Sequence, residues 1–224
     1  MNHKKSLQHF LFILISLLPA LYLLLVWDRI PNIVPMHYDI NFKPDRYGSK
    51  NELWIVAGMT SGVSLLLYFL LRNIHKIDPK RAKEHKPSIF NKLAAGMVIF
   101  CSGLGILFIH TYANRDVKLL SHMIFPLLGL IFIFTGNYIY SVKPNYFVGI
   151  RTPWALNDDE NWRKTHRLGG ILWFIGGFLM IILGTVFREE VNGMVYIVIL
   201  STMVLIPFIY SFVLFRRQRK IQSK

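Results

Sequence analysis

LGGILWFIGGFLMIILGTVF, residues 168–187, decides the fold. It runs for twenty residues without a charged side chain, and a helix of about 20 apolar residues crosses roughly 30 Å of hydrocarbon. Gly170, Gly177 and Gly184 recur at intervals of seven, close to two helical turns, which leaves a smooth stripe for another helix to approach. Period-2 alternation is absent, so a β-barrel does not fit.

The same reading finds five more spans, 7–27, 53–71, 93–112, 121–140 and 191–215. The chain of 224 residues is 53% hydrophobic and only 17% charged, with a mean hydropathy of +0.40. The expected fold is all-α integral membrane, a bundle of six transmembrane helices. Lys4 and Lys5 precede the first span as in a signal peptide, but its apolar core is too long and Trp27, Asp28 and Arg29 form no small-residue cleavage site. The single cysteine, Cys101, excludes an intrachain disulfide.

Sidedness follows from the loops. Nineteen of the 26 Lys and Arg residues flank one side, in the N-terminus, 72–92, 141–167 and the C-terminal tail, and seven flank the other. Positive loops stay in the cytoplasm, so both termini are expected inside. Acids divide five inside and seven outside, which leaves +14 inside and zero outside. The basicity is therefore topology, and direct nucleic-acid binding loses its support. The expected organisation is an N-terminal membrane domain, 1–71, with an outer loop at 28–52; a basic cytoplasmic linker, 72–92; and a four-span domain, 93–224, with a cytoplasmic loop at 141–167.

Within the spans, Gly58 and Gly62 of GMTSG are expected to mark packing inside the molecule, as is the glycine stripe of span five. Pro19, Pro126 and Pro207 interrupt spans one, four and six. No span carries an ionisable residue at its centre, which argues against an ion pump. Asn137 is the clearest polar side chain inside a span, and an interhelical hydrogen bond is its expected role.

Two loops carry the remaining pattern. The outer one, WDRIPNIVPMHYDINFKPDRYGSK at 27–50, is punctuated by proline and glycine and is expected to fold into turns with short extended pieces. His37, with Asp39 beside it, lies on the same side as His110 and His122, but no HExxH or CxxC spacing supports a metal, and none is assigned. The inner one is GIRTPWALNDDENWRKTHR, 149–167. Pro153 pushes Thr152 out of helical geometry into a fixed corner, from which Arg151 and Trp154 are expected to project. Asn157 and Glu160 suggest a capping box, so a helix is expected to begin near Asp158 and run into span five. On it, Asp159 faces Arg163, Glu160 faces Lys164, and Trp162 shares a face with His166. Tryptophans and arginines here are read as anchors for membrane lipids or for a protein partner.

PNYFVGIRTPWALNDDENWRKTHRLGG, 144–170, resembles the signature of the SdpI family, and IPNIVPMHYDINFKPDRYGSK, 30–50, resembles a domain of unknown function often found ahead of it in the same chain. Ala155, Asn161 and Phe42 depart from the usual residues, threonine, an apolar residue and glycine. The resemblance implies a multi-pass protein of the bacterial plasma membrane that confers immunity to a secreted peptide toxin, and a relay of toxin presence by capture of a cytoplasmic transcriptional repressor. No cofactor is implied. The expected partner surface inside is Gly149, Arg151, Thr152, Pro153, Trp154, Trp162, Thr165, His166 and Arg167; the expected peptide surface outside is Pro35, His37, Asp39, Asp45 and Arg46. A transporter or carrier is the alternative. A membrane-embedded enzyme is a third reading, but no GxSxG or HExxH motif appears, and Asp158, Asp159 and Glu160 point apart on a helix, so no catalytic residue is assigned.

Overall fold

The computed structural model describes residues 3–40, 43–79, 87–187 and 191–222. Six long helices account for the apolar segments: α1 (His3–Val26), α2 (Leu53–Ile77), α3 (Pro87–Ala113), α4 (Val117–Ile139), α6 (Asp159–Thr185) and α7 (Gly193–Gln222), with a short helix, α5 (Pro153–Asn157), ahead of α6. All six are long and apolar enough to cross a bilayer, as a multi-pass membrane protein requires. Several outrun the apolar spans. α2 continues through His75 and Lys76, and α7 through Arg219 and Lys220, because cations in a last turn complement the helix dipole and nothing there breaks the ladder. Of the 72–92 linker, residues 80–86 lie outside those described, as does Phe42.

The outer loop holds the short extended pieces expected of it, and they pair. Residues Ile33–Tyr38 (β1) and Pro44–Ser49 (β2) form a two-stranded antiparallel sheet. The extended pieces pair because Asp39 closes the turn: its backbone N–H donates to the Lys43 carbonyl at 2.9 Å and its carboxylate accepts from the Lys43 N–H at 2.8 Å. Past β2, Ser49 and Glu52 make a reciprocal capping box that leads into α2. Val34 is 1% exposed and packs with Leu23, Val26, Leu53 and Ile109, so the hairpin is seated on the ends of α1, α2 and α3. Lys50 lies 4.6 Å over the Trp27 ring. At its tip, a Cβ on Gly193 would collide with the Ile40 carbonyl oxygen, so the start of α7 also touches the hairpin.

Packing in the bundle runs α1 with α2 and α3, α2 with α3, α3 with α4, α4 with α6, and α6 with α7. The α4–α6 contact is made by the glycine stripe. A Cβ on Gly177 would stand 2.5 Å from the Gly129 carbonyl oxygen, and one on Gly170 2.7 Å from that of Gly136; no side chain fits where two backbones approach so closely. Gly184 packs against the Pro126 ring, and Gly105 against the Thr60 hydroxyl and the Pro19 ring. Gly58 and Gly62 do not share this role. Nothing lies within 4 Å of a Cβ at either, and the packed small residues of α2 are Ala57, Ser61 and Ser64. The GxxxG spacing was on the helix, but on its outward face.

Candidate functional site

At the other end of the bundle, the loop between α4 and α6 is wound tightly onto the helices. It begins with Asn145, 0% exposed. Its amide nitrogen donates to the carbonyls of Lys143 and Val148, and its amide oxygen accepts from the N–H groups of Phe147 and Val148 at 2.8 and 2.7 Å. One side chain thus satisfies a turn that has no regular backbone ladder. Sequence reasoning passed over Asn145, because an asparagine after a proline signals a turn without revealing that it closes one.

The chain then reaches Gly149 with φ of +119°, a region that side chains resist. The turn carries the next N–H, that of Ile150, onto His166 Nε2 at 2.9 Å. Because Nε2 accepts, the proton of the neutral ring sits on Nδ1, which donates to the Trp162 carbonyl at 2.8 Å. The His166 and Trp162 rings stack at 3.9 Å, as their i, i+4 spacing predicts, and Trp162 Nε1 donates to the Val142 carbonyl at 2.8 Å. Both rings face inward: Trp162 is 2% exposed and His166 0%. The expectation that they present a partner surface is corrected here, because their polar atoms are consumed in tying the loop to α6.

The corner at Thr152 forms as expected, with φ of −73° and ψ of 148°. Thr152 caps α5 by accepting from the Ala155 N–H, with Pro153 at the first helical turn. Asn157 becomes the last residue of α5, and the cap of α6 passes to Asp158, whose carboxylate accepts from the Asn161 N–H at 2.5 Å. The expected Asn157 cap is thus displaced by one residue, since α5 has already absorbed Asn157. Glu160 pairs with Lys164 at 2.8 Å.

Below the corner lies a polar hub that the sequence did not reveal. Ser211 of α7 is 0% exposed. Its hydroxyl donates to Asn161 Oδ1 at 2.7 Å and accepts from Trp154 Nε1 at 2.8 Å and from the Thr152 hydroxyl at 3.1 Å. Asn161 completes the set: Nδ2 donates to the Ser211 carbonyl at 2.9 Å, and Oδ1 also accepts from Thr165 at 3.0 Å. Every donor and acceptor of the Ser211 hydroxyl is used. Trp154 therefore does not project from the corner as expected; it lies against α7 with Phe208, Phe212 and Phe215 around its ring. Thr152 and Thr165 are buried, and Trp154 is half-buried.

What remains outside is charged, with Asp159 and Glu160 exposed as well as the arginines. Arg151 is exposed, with its guanidinium donating to the Tyr146 carbonyl. Pro153, Arg163 and Arg167 are exposed as well. Asn137 makes no hydrogen bond among the described residues; it lines a groove with Arg163 and Arg167 instead of crossing to another helix.

On the hairpin, His37 Nδ1 and Asp45 Oδ1 are 2.6 Å apart, and His37 faces Arg46 across the strands. All three are exposed. Arg46 lies 3.5 Å from Glu52. Asp39 is occupied by the turn, and Pro35 pairs opposite Tyr47. Ile33 and Tyr47, 69% and 60% exposed, add apolar surface that the sequence reading had not singled out. His110 bonds to Tyr22 at 2.7 Å, and among the described residues no three His, Cys, Asp or Glu side chains gather to hold a metal ion.

Comparison with known proteins meets both loops. Residues 14–60 match the domain of unknown function DUF1648. The chain is 22% identical over 206 residues to "Immunity protein SdpI" of Bacillus subtilis (strain 168), an alignment that covers 90% of this chain and 92% of that protein. No solved structure matches. Residues 141–211, from the Asn145 turn through the Ser211 hub, match the SdpI/YfhL protein family, and the resemblance carried by the inner loop is to that family.

Proposed function

We propose that the chain is an immunity protein of the SdpI type, a binding protein without catalysis. The observation that carries this reading is the similarity to a protein named for immunity along 90% of the chain, with both patterned loops inside the aligned architecture. In this reading the hairpin faces outward and meets a secreted, amphipathic or cationic peptide through His37, Asp45 and Arg46, flanked by Ile33 and Tyr47. An outer face of zero net charge does not repel such a peptide. Inside, Arg151, Pro153 and Arg167 are the exposed part of the surface that captures a cytoplasmic transcriptional repressor, while the buried signature residues hold that surface in place.

α7 supplies a physical connection between the two. It abuts Ile40 of the hairpin through Gly193 and the inner loop through Ser211. Peptide binding that favours one seating of the hairpin would bias the seating of α7, and with it the corner at Thr152.

Two measurements test this. A membrane-impermeant maleimide applied to intact cells is expected to label Asn51→Cys and to label Asn157→Cys only after permeabilisation. Both positions are exposed, and the native Cys101 is buried. Labelling of Asn157→Cys from the medium would reverse the sidedness and end the proposal. In a toxin-sensitive strain, at equal membrane abundance, the triple variant His37→Ala, Asp45→Ala, Arg46→Ala is expected to lower the tolerated toxin dose by about tenfold, the effect of losing a contact cluster worth roughly 1.4 kcal/mol. Arg151→Ala is expected to keep protection and lose reporter induction. Wild-type behaviour of both variants would refute the two-surface reading.

A further inference from the structure

At the end of the bundle where α6 begins, α4 and α6 line an open groove of about 760 Å³. Its floor is formed where the glycine backbones meet, at Gly136 and Gly170, and its apolar wall is Ile171, Phe174 and Ile175. These wall residues are 51%, 41% and 51% exposed and lie within a helix that spans the bilayer, so lipid chains are the medium they face. The groove also holds two arginines, Arg163 and Arg167, one turn apart on α6, together with Asn137 of α4 and Tyr140 just past its end. Arg163 has an acid one turn before it, Asp159; Arg167 has Arg163 at that spacing and Ile171 after it.

We infer that this groove is a binding site for an anionic phospholipid of the adjoining leaflet, its phosphate held by Arg163 and Arg167 and an acyl chain laid along Ile171, Phe174 and Ile175. The argument is complementarity of two kinds on one surface. A guanidinium pair offers forked donors to a phosphate, Tyr140 and Asn137 offer neutral hydrogen-bonding groups at the same level, and the wall below matches hydrocarbon. Basic pockets between transmembrane helices recognise lipid headgroups by this chemistry. A soluble protein partner would have to leave the apolar wall uncovered or enter the bilayer, whereas a lipid covers both parts. The occupant would also shield Arg167 from the cytoplasm, leaving Arg151 and Lys143 as exposed cations of the inner loop.

The test uses the full-length protein in detergent micelles, titrated with dioleoylphosphatidylglycerol or dioleoylphosphatidylcholine and read by native mass spectrometry. These lipids share their chains and differ in headgroup charge. Phosphatidylglycerol is expected to bind about thirtyfold more tightly, in keeping with the worth of two surface cations. The preference is expected to vanish in Arg163→Gln/Arg167→Gln, to persist in Arg163→Lys/Arg167→Lys, and to persist in Arg216→Gln/Arg217→Gln, which removes two exposed cations at the end of α7. Loss of preference in the α7 variant as well, retention in the glutamine variant, or no preference in the wild type would each overturn the site. Displacement of the lipid by inorganic phosphate at equal concentration would also overturn it, since the ligand would then be a free anion. The assay contains no toxin, so its result is separate from the immunity reading.

Discussion

Gly149→Ala is expected to release the inner loop from α6 while the six spans stay inserted. Two costs coincide at this position. An alanine at φ of +119° is strained by about 1–3 kcal/mol, and its Cβ would collide with His166 Nε2 and stand 3.1 Å from the Trp162 ring. Neither neighbour can move freely: His166 is held by Ile150 and Trp162, and Trp162 by Val142. Relief requires the Ile150 N–H to leave His166, which strands a buried ring nitrogen at a further cost of about 1–3 kcal/mol. The expected result is a loss of roughly 3 kcal/mol or more, seen as a lower unfolding temperature in detergent and as tryptic cleavage after Arg151 under conditions where the wild type resists. Gly58→Ala is the control. It faces open space in mid-helix, where replacing glycine by alanine gains about 0.5–1 kcal/mol. Equal stability of Gly149→Ala and wild type, with equal protease resistance, would contradict the account of the loop.

How much of this was legible beforehand depended on whether the signal was local. The spans were, because twenty uncharged residues leave few alternatives in a bilayer. The corner at Thr152 was, because Pro153 restricts its predecessor by sterics alone, and so was the pairing of Trp162 with His166, which follows from 3.6 residues per turn. The direction in which that pair faces was not. On a soluble helix the apolar stripe marks the inside; on a helix that meets lipid on one side and protein on the other, both sides are apolar, and the stripe carries no sign. For the same reason the spacing of Gly58 and Gly62 read like that of Gly170 and Gly177, although only the second pair meets a neighbour. The hairpin was half legible: its turns and extended pieces follow from proline and glycine, whereas strand pairing depends on the seating of Val34 against three helices. Ser211 left no trace, since a serine in a membrane helix usually satisfies itself on its own backbone.

Ser211 therefore gives the second large effect. In Ser211→Ala, Trp154 Nε1 and the Thr152 hydroxyl lose their acceptor and Asn161 Oδ1 loses one of two donors. A single interhelical hydrogen bond within a bilayer averages about 0.6 kcal/mol, because the separated helices find other partners there. This hub differs in that two of its members, Thr152 and Trp154, belong to a loop that water would solvate if it detached, so their stranded groups cost nearer the buried-group figure of about 1–3 kcal/mol each. The net expectation is a loss of about 2–3 kcal/mol, with tryptic cleavage after Arg151 again reporting release of the corner. Asn161→Leu alone should cost a similar amount, since it strands the hydroxyls of Ser211 and Thr165. The double variant Asn161→Leu/Ser211→Ala should cost less than the two losses combined by about 1 kcal/mol or more, because residues in one network couple and removing both partners leaves fewer orphans than removing either. Asn161 stands where the family resemblance leads one to expect an apolar residue, and the hub explains how an amide is tolerated there: Ser211 supplies both a hydroxyl and a carbonyl to meet it. Additive losses within about 0.5 kcal/mol would show that Asn161 and Ser211 act independently, and that the loop is held to α7 by the aromatic packing of Trp154 rather than by the hub.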